Sequence, residues 1–195
     1  FHNEFFHKKA GRQGSAWRSL LLALSSLCVL PLFGHAQSVP SCKGPAVLNQ
    51  MLASNPSSGA YEALGTWFAK RRQFPCAISA FESALRLDPK SWQSHYDLGI
   101  TLLTSGNLRR AGTELKTASN LNPNSEQILL PLGAALSELD RQDSAIEVFR
   151  EILKENPQSI KAIDGLTKAL IAEKRYTAAI AELKNAPPDE VLQLN

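Results

Sequence analysis

Residues 92–125 read WQSHYDLGITLLTSGNLRRAGTELKTASNLNPNS, and the landmarks of this stretch return 34 positions earlier and later. Pro123 has counterparts in Pro89 and Pro157, and Gly99 in Gly65 and Gly133. Leu98 matches Leu64, Leu132 and Leu166. Ala111 matches Ala77, Ala145 and Ala179, and Leu115 matches Phe81, Phe149 and Leu183. Ser125 closes a series with Ser57, Ser91 and Ser159. Six series in one phase define a tandem repeat, and a repeat of this length is one supersecondary unit stacked on its neighbours.

Each series has a physical task. The Gly of a Leu-Gly pair inside a first helix lets another helix come close, and because a mid-helix Gly costs ~1 kcal/mol against Ala, packing must compensate. The Ala series opens a second helix at a tight crossing. The Phe/Leu series lies four residues on, on the same face, and fills the space between helices. Pro ends the second helix, since it has no N–H and its ring clashes with the preceding turn. The Ser series stands one residue before each first helix, where a hydroxyl can cap free backbone N–H groups.

This pattern resembles the tetratricopeptide repeat family. In its phase, residues 58–91, 92–125 and 126–159 are repeats one to three, and a degenerate fourth occupies 160–195. Repeat one fills the family positions with Tyr61, Leu64, Gly65, Phe68, Ala77, Phe81, Ala84 and Pro89. Repeat four has Thr167 in the Gly position and Val191 in the Pro position. The resemblance implies an all-α solenoid of about four helix-turn-helix units in a right-handed superhelical array. It implies protein–protein binding, with a peptide or helix docked in a concave groove lined by the first helices.

The family's groove positions are the second, fifth, sixth, ninth, twelfth and thirteenth of each unit. They place Glu62, Thr66 and Lys70 in repeat one and Gln93, Tyr96, Asp97 and Ile100 in repeat two. Repeat three contributes Gln127, Leu130, Ala134 and Glu138, and repeat four Lys161, Asp164 and Lys168. Tyr96 is the expected anchor, with a large rigid ring and a polar tip. The carboxylate clamp of chaperone-tail binders is absent, since its places hold Glu62, Thr66, Asp97, Gln127 and Pro131. The Asn ladder of sugar-transferase arrays is absent as well, its places holding Ala63, Asp97, Pro131 and Gly165.

Outside the repeats, residues 1–36 read as a secretory signal: Lys8, Lys9, Arg12 and Arg18, then an apolar run from Leu20 to Phe33, then Gly34-His35-Ala36. Cleavage is expected after Ala36, with export to the periplasm or the extracellular space. The alternative is an uncleaved membrane anchor, although the run is shorter than the roughly 20 residues a spanning helix needs. Residues 37–57 form a leader in which 45–53 should be a short amphipathic helix over the first repeat. The chain begins at Phe1 rather than Met, and Val191, Leu192 and Leu194 resemble the opening of another helix. The expectation is a fragment of a longer array, which could be the recruiting arm of a larger protein or enzyme, or could self-associate through its last repeat.

Charge and chemistry narrow the function further. The chain carries 21 Lys and Arg against 18 Asp and Glu, with an excess of three confined to residues 1–36. The remainder is balanced, which argues against a nucleic-acid footprint. No metalloprotease, dithiol, nucleophile-elbow or phosphate-loop motif is present, so an enzyme is not expected, nor a cofactor. His95, Cys42 and Cys76 fall at no metal-ligand spacing, and His95 is read as packing. Export leaves two readings for Cys42 and Cys76, a disulfide or two separate thiols. The acidic run Glu147, Glu151 and Glu155 reads as a solvated helix face with local ion pairs, and Lys70-Arg71-Arg72 as a basic run at the negative end of a helix dipole.

Overall fold

The computed structural model describes residues 42–184. The expectations for the signal segment, the cleavage after Ala36 and the end of repeat four lie outside those residues. Nine helices occupy the described chain: α1 Ala46–Ser54, α2 Ser58–Lys70, α3 Phe74–Leu87, α4 Trp92–Thr104, α5 Leu108–Leu121, α6 Glu126–Glu138, α7 Gln142–Glu155, α8 Ile160–Ala172 and α9 Tyr176–Lys184. First helices begin at residues 58, 92, 126 and 160, the period read from the sequence. Each helix from α2 onward packs against the next in the chain. The result is an all-α helix-pair solenoid. No described helix is long and apolar enough to cross a membrane.

The serines sit where capping requires. The Ser57, Ser91 and Ser159 hydroxyls accept the backbone N–H of Ala60, Ser94 and Ala162. Ser125 does not cap through its side chain. There the N–H of Ile128 is taken by the Ser125 carbonyl at 2.9 Å, and the preceding Asn124 is left-handed.

Every first helix ends in the same way. Arg72, Gly106, Asp140 and Lys174, again one period apart, adopt positive φ. The N–H of the next residue then reaches back to Phe68, Leu102, Leu136 or Leu170 at 2.8–3.0 Å, which closes a Schellman-type cap. Glycine is the residue suited to that backbone, and only Gly106 supplies it. The exposed Asp140 makes no ion pair among the described residues. Asp140→Gly should therefore stabilise the fold by about 0.5–1 kcal/mol, the relief of left-handed strain less the added freedom of the unfolded chain. A denaturant midpoint that falls instead would contradict this assignment of the turn.

The interior forms two clusters. Phe68, Phe81, Leu98 and Leu102 lead the first, and Leu132, Phe149, Leu166 and Leu170 the second. Leu103 packs on both and joins them. Phe149 shows what the glycines do. A Cβ on Gly133 would stand 2.6 Å from its ring, and one on Gly165 would overlap the same ring. Gly165, two residues before Thr167, makes a separate opening, where the Phe149 ring reaches into the next repeat.

At the other end, the Cys42 and Cys76 sulfurs are bonded, with Cα atoms 5.5 Å apart. The bond ties the leader to the first turn of α3. Helix α1 forms where the amphipathic pattern places it, but it buries none of its residues and leaves Val47 68% exposed. Its cover over repeat one is thin, so the covalent tie carries much of its attachment.

His95 departs from the sequence reading. It is not simple packing: Nδ1 lies 2.7 Å from Glu114 Oε2 and Nε2 lies 3.1 Å from the Pro89 carbonyl. A carbonyl only accepts, so Nε2 carries a hydrogen and donates. The ring pins α4 to α5 and to the turn before it. Arg71 is likewise held by more than the helix dipole, since its guanidinium stacks 3.9 Å from the Trp67 ring centre. Glu147, Glu151 and Glu155 are exposed as expected, but form no ion pairs among the described residues.

Candidate functional site

Successive first helices touch one another: α2 meets α4, α4 meets α6, and α6 meets α8. Successive second helices do not approach as closely. A stack of pairs packed this way bends toward its first helices, which line the inner side. Helical spacing then decides which residues face inward. In α4, Ser94, Leu98, Thr101 and Leu102 are buried, whereas Gln93, Asp97, Ile100 and Thr104 share the opposite stripe.

The structure places the groove residues on these inner helices as follows. Tyr96, Ile100 and Leu130 are half-buried and pack their inner edges on the core. They leave an apolar centre at the junction of repeats two and three. Thr66 and Ala134 are also half-buried, while Lys70, Gln93, Gln127, Glu138, Lys161 and Lys168 are exposed. Asp164 is held by Lys168 at 2.7 Å on the same helix.

Glu62 has a structural duty. It accepts hydrogen bonds from the hydroxyls of Ser91, at 3.0 Å, and Ser94, and so fastens α2 to the start of α4. Burial, together with the nearby Glu62 carboxylate, raises the Asp97 carboxyl above the usual aspartate range. Repeat three uses a similar fastening further on. Glu126 accepts from Ser159 at 2.6 Å and from Asn156 at 3.0 Å. These two bonds, with Lys161 nearby, lower its pKa. The inner face thus carries Glu62, Asp97 and the exposed Lys70 in repeats one and two, an apolar middle, and exposed Lys161 and Lys168 in repeat four.

Two groove residues escaped the sequence-based choice. Leu103 and Ile171 occupy the twelfth place of their repeats, and Ile171 is 49% exposed. Pro131 stands inside α6. It has no N–H, so the Gln127 carbonyl loses its helical donor at the middle of the inner face. The period alone would have found Leu103 and Ile171, had the twelfth place been followed in every repeat. No cluster of three or more metal-ligating side chains occurs among the described residues.

The tetratricopeptide repeat pattern matches residues 69–136 and 136–193. Human Superkiller complex protein 3 is 26% identical over 119 residues, covering 61% of this chain and 8% of that protein. Anaphase-promoting complex subunit 3 of Schizosaccharomyces pombe is 22% identical over 147 residues, covering 73% of this chain and 22% of its own. The chain spans less than a quarter of the length of these curated relatives. Among solved structures, MamA aligns with a TM-score of 0.67 at 21% identity, covering 71% of this chain and 81% of that one. YrrB, described as having an unusual peptide-binding site, aligns with a TM-score of 0.64 at 15% identity, covering 71% of this chain and 72% of its own. The period, the helix pairs and these matches agree that the chain belongs to the tetratricopeptide repeat family.

Proposed function

We propose that this chain is a non-catalytic interaction scaffold that docks a peptide or helix of a partner protein along its inner face. The observation that carries the reading is the half-exposed apolar run of Tyr96, Ile100, Leu103 and Leu130, flanked by Asp97 on one side and Lys161 on the other. Partly exposed aromatic and aliphatic side chains on a rigid backbone supply docking energy at small ordering cost, and the flanking charges set direction. Export is part of the proposal. It is supported by the basic, apolar and small-residue order of residues 1–36 and by the Cys42–Cys76 bond.

A second reading is favoured by one observation, the small share of its relatives that the chain covers. In that reading the array is the recruiting arm of a longer multidomain protein. The length of the parent reading frame separates the two.

A crosslinking pull-down with the full chain, beside Tyr96→Ala/Asp97→Ala/Leu130→Ala, tests the groove. Capture should fall at least about tenfold in the triple variant, since apolar anchors of this kind each contribute roughly 1–2 kcal/mol. Circular dichroism should show both proteins equally helical. Equal capture by both would move the partner off the inner face.

A further inference from the structure

On the outer side, a cleft of about 480 Å³ opens between α5 and α7. Its floor is apolar, with Leu132, Leu136 and Val148. Its existence traces to one residue. Gly112 lines it, and the equivalent place in the other repeats holds Ile78, Ile146 and Ile180. Ile78 packs on the first core cluster and Ile146 is buried. Repeat two alone lacks a branched side chain here; in repeats one and three that side chain is packed, and in repeat four Ile180 is 53% exposed. The nearest atom to a Cβ on Gly112 is a Leu139 methyl at 3.6 Å, so the site has room for one.

The rim is cationic. Arg109, Lys116 and Arg141 are exposed around the opening against the single carboxylate of Glu147. None of the three cations makes an ion pair among the described residues. By contrast, the neighbouring Arg110 is held by Glu82 at 2.6 Å. Three unpaired cations over an apolar slot complement a segment that carries carboxylates around one branched aliphatic side chain.

We infer that this outer cleft is a second docking site, for an acidic segment of a partner protein whose Leu, Ile or Val side chain takes the place left open at Gly112. The site is independent of the inner groove. The anchor supplies affinity by displacing water from the slot, and the cations select acidic flanks and speed encounter.

The test uses the full chain and a pool of fluorescent ten-residue peptides, each with one central Leu, Ile or Val among Asp and Glu. Fluorescence polarisation should show saturable binding that weakens at least about tenfold as salt rises from low to several times physiological, because the flanking contacts are exposed. Gly112→Ile should abolish binding without loss of helicity or thermal midpoint, since it supplies what the other repeats already contain. Arg109→Ala/Lys116→Ala/Arg141→Ala should weaken it, and the inner-groove triple variant should leave it unchanged. Undiminished binding to Gly112→Ile, equal binding of lysine-for-acid peptides, or no binding by the acidic pool would each overturn the inference.

Discussion

Phe149→Ala should cost about 3–5 kcal/mol, the range for removing a large buried aromatic side chain. Phe149 is 4% exposed and packs against both Gly133 and Gly165, two positions that have no side chain of their own to close the gap. The cavity is therefore poorly placed to collapse, which puts the cost toward the upper end. For a domain of this size the thermal midpoint should fall by roughly 10 °C or more. The loss should also be localised. In a solenoid each unit is stabilised mainly by its neighbours, so a break at the contact of repeats three and four should spare repeat one. Hydrogen exchange should accelerate in α7 and α8 and stay nearly constant in α2 and α3. Uniform acceleration along the chain would show that the array melts as one block and that the ring is not a local wedge.

Loss of the Cys42–Cys76 bond should have the next largest effect, at the opposite end. The cross-linked residues are 34 apart, and closing a loop of that size restricts the unfolded chain by about 3–4 kcal/mol in the loop-entropy account. Cys42→Ser is the cleaner variant, because Cys42 is exposed while Cys76 is buried and can remain as a small apolar side chain. Since α1 buries none of its own residues, its detachment should be the first visible event. Limited proteolysis should cut near residues 54–57 in the variant or after reduction, with α8 and α9 unaffected. Resistance at that site equal to the bonded protein would mean that α1 is held by its contacts with α2 alone.

The architecture was legible because its causes are short-range and repeated. A Leu-Gly pair, an Ala and an aromatic residue four places on each specify one contact, and the period multiplies the signal until it is unambiguous. What stayed hidden depends on geometry between units. Arg72, Asp140 and Lys174 adopt a glycine backbone without being glycine, because the Schellman-type turn fixes them from both sides. His95 fills a place where the family packs bulk, but its ring nitrogens reach Glu114 and Pro89, contacts that no spacing rule encodes. Gly165 is needed only because the Phe149 ring crosses into the next repeat. The groove was legible as a set of places but not as chemistry. The positions of Tyr96, Ile100 and Leu130 follow from the period. That Glu62 is occupied with Ser91 and Ser94, and that its charge bears on Asp97, follows only from the packing of α2 on α4.

The claim that the inner face receives a partner is tested most directly by placing a photoreactive amino acid at Gln93, exposed on the inner stripe, and in a second protein at Glu151, exposed on the outer side of α7. Both positions lack hydrogen-bond or ionic duties among the described residues, so the fold should be untouched. Irradiation in the source cells should yield a discrete adduct of higher mass from the Gln93 position, whatever the outer cleft yields at Glu151. An adduct from Glu151 with none from Gln93 would contradict a partner docked along the inner face.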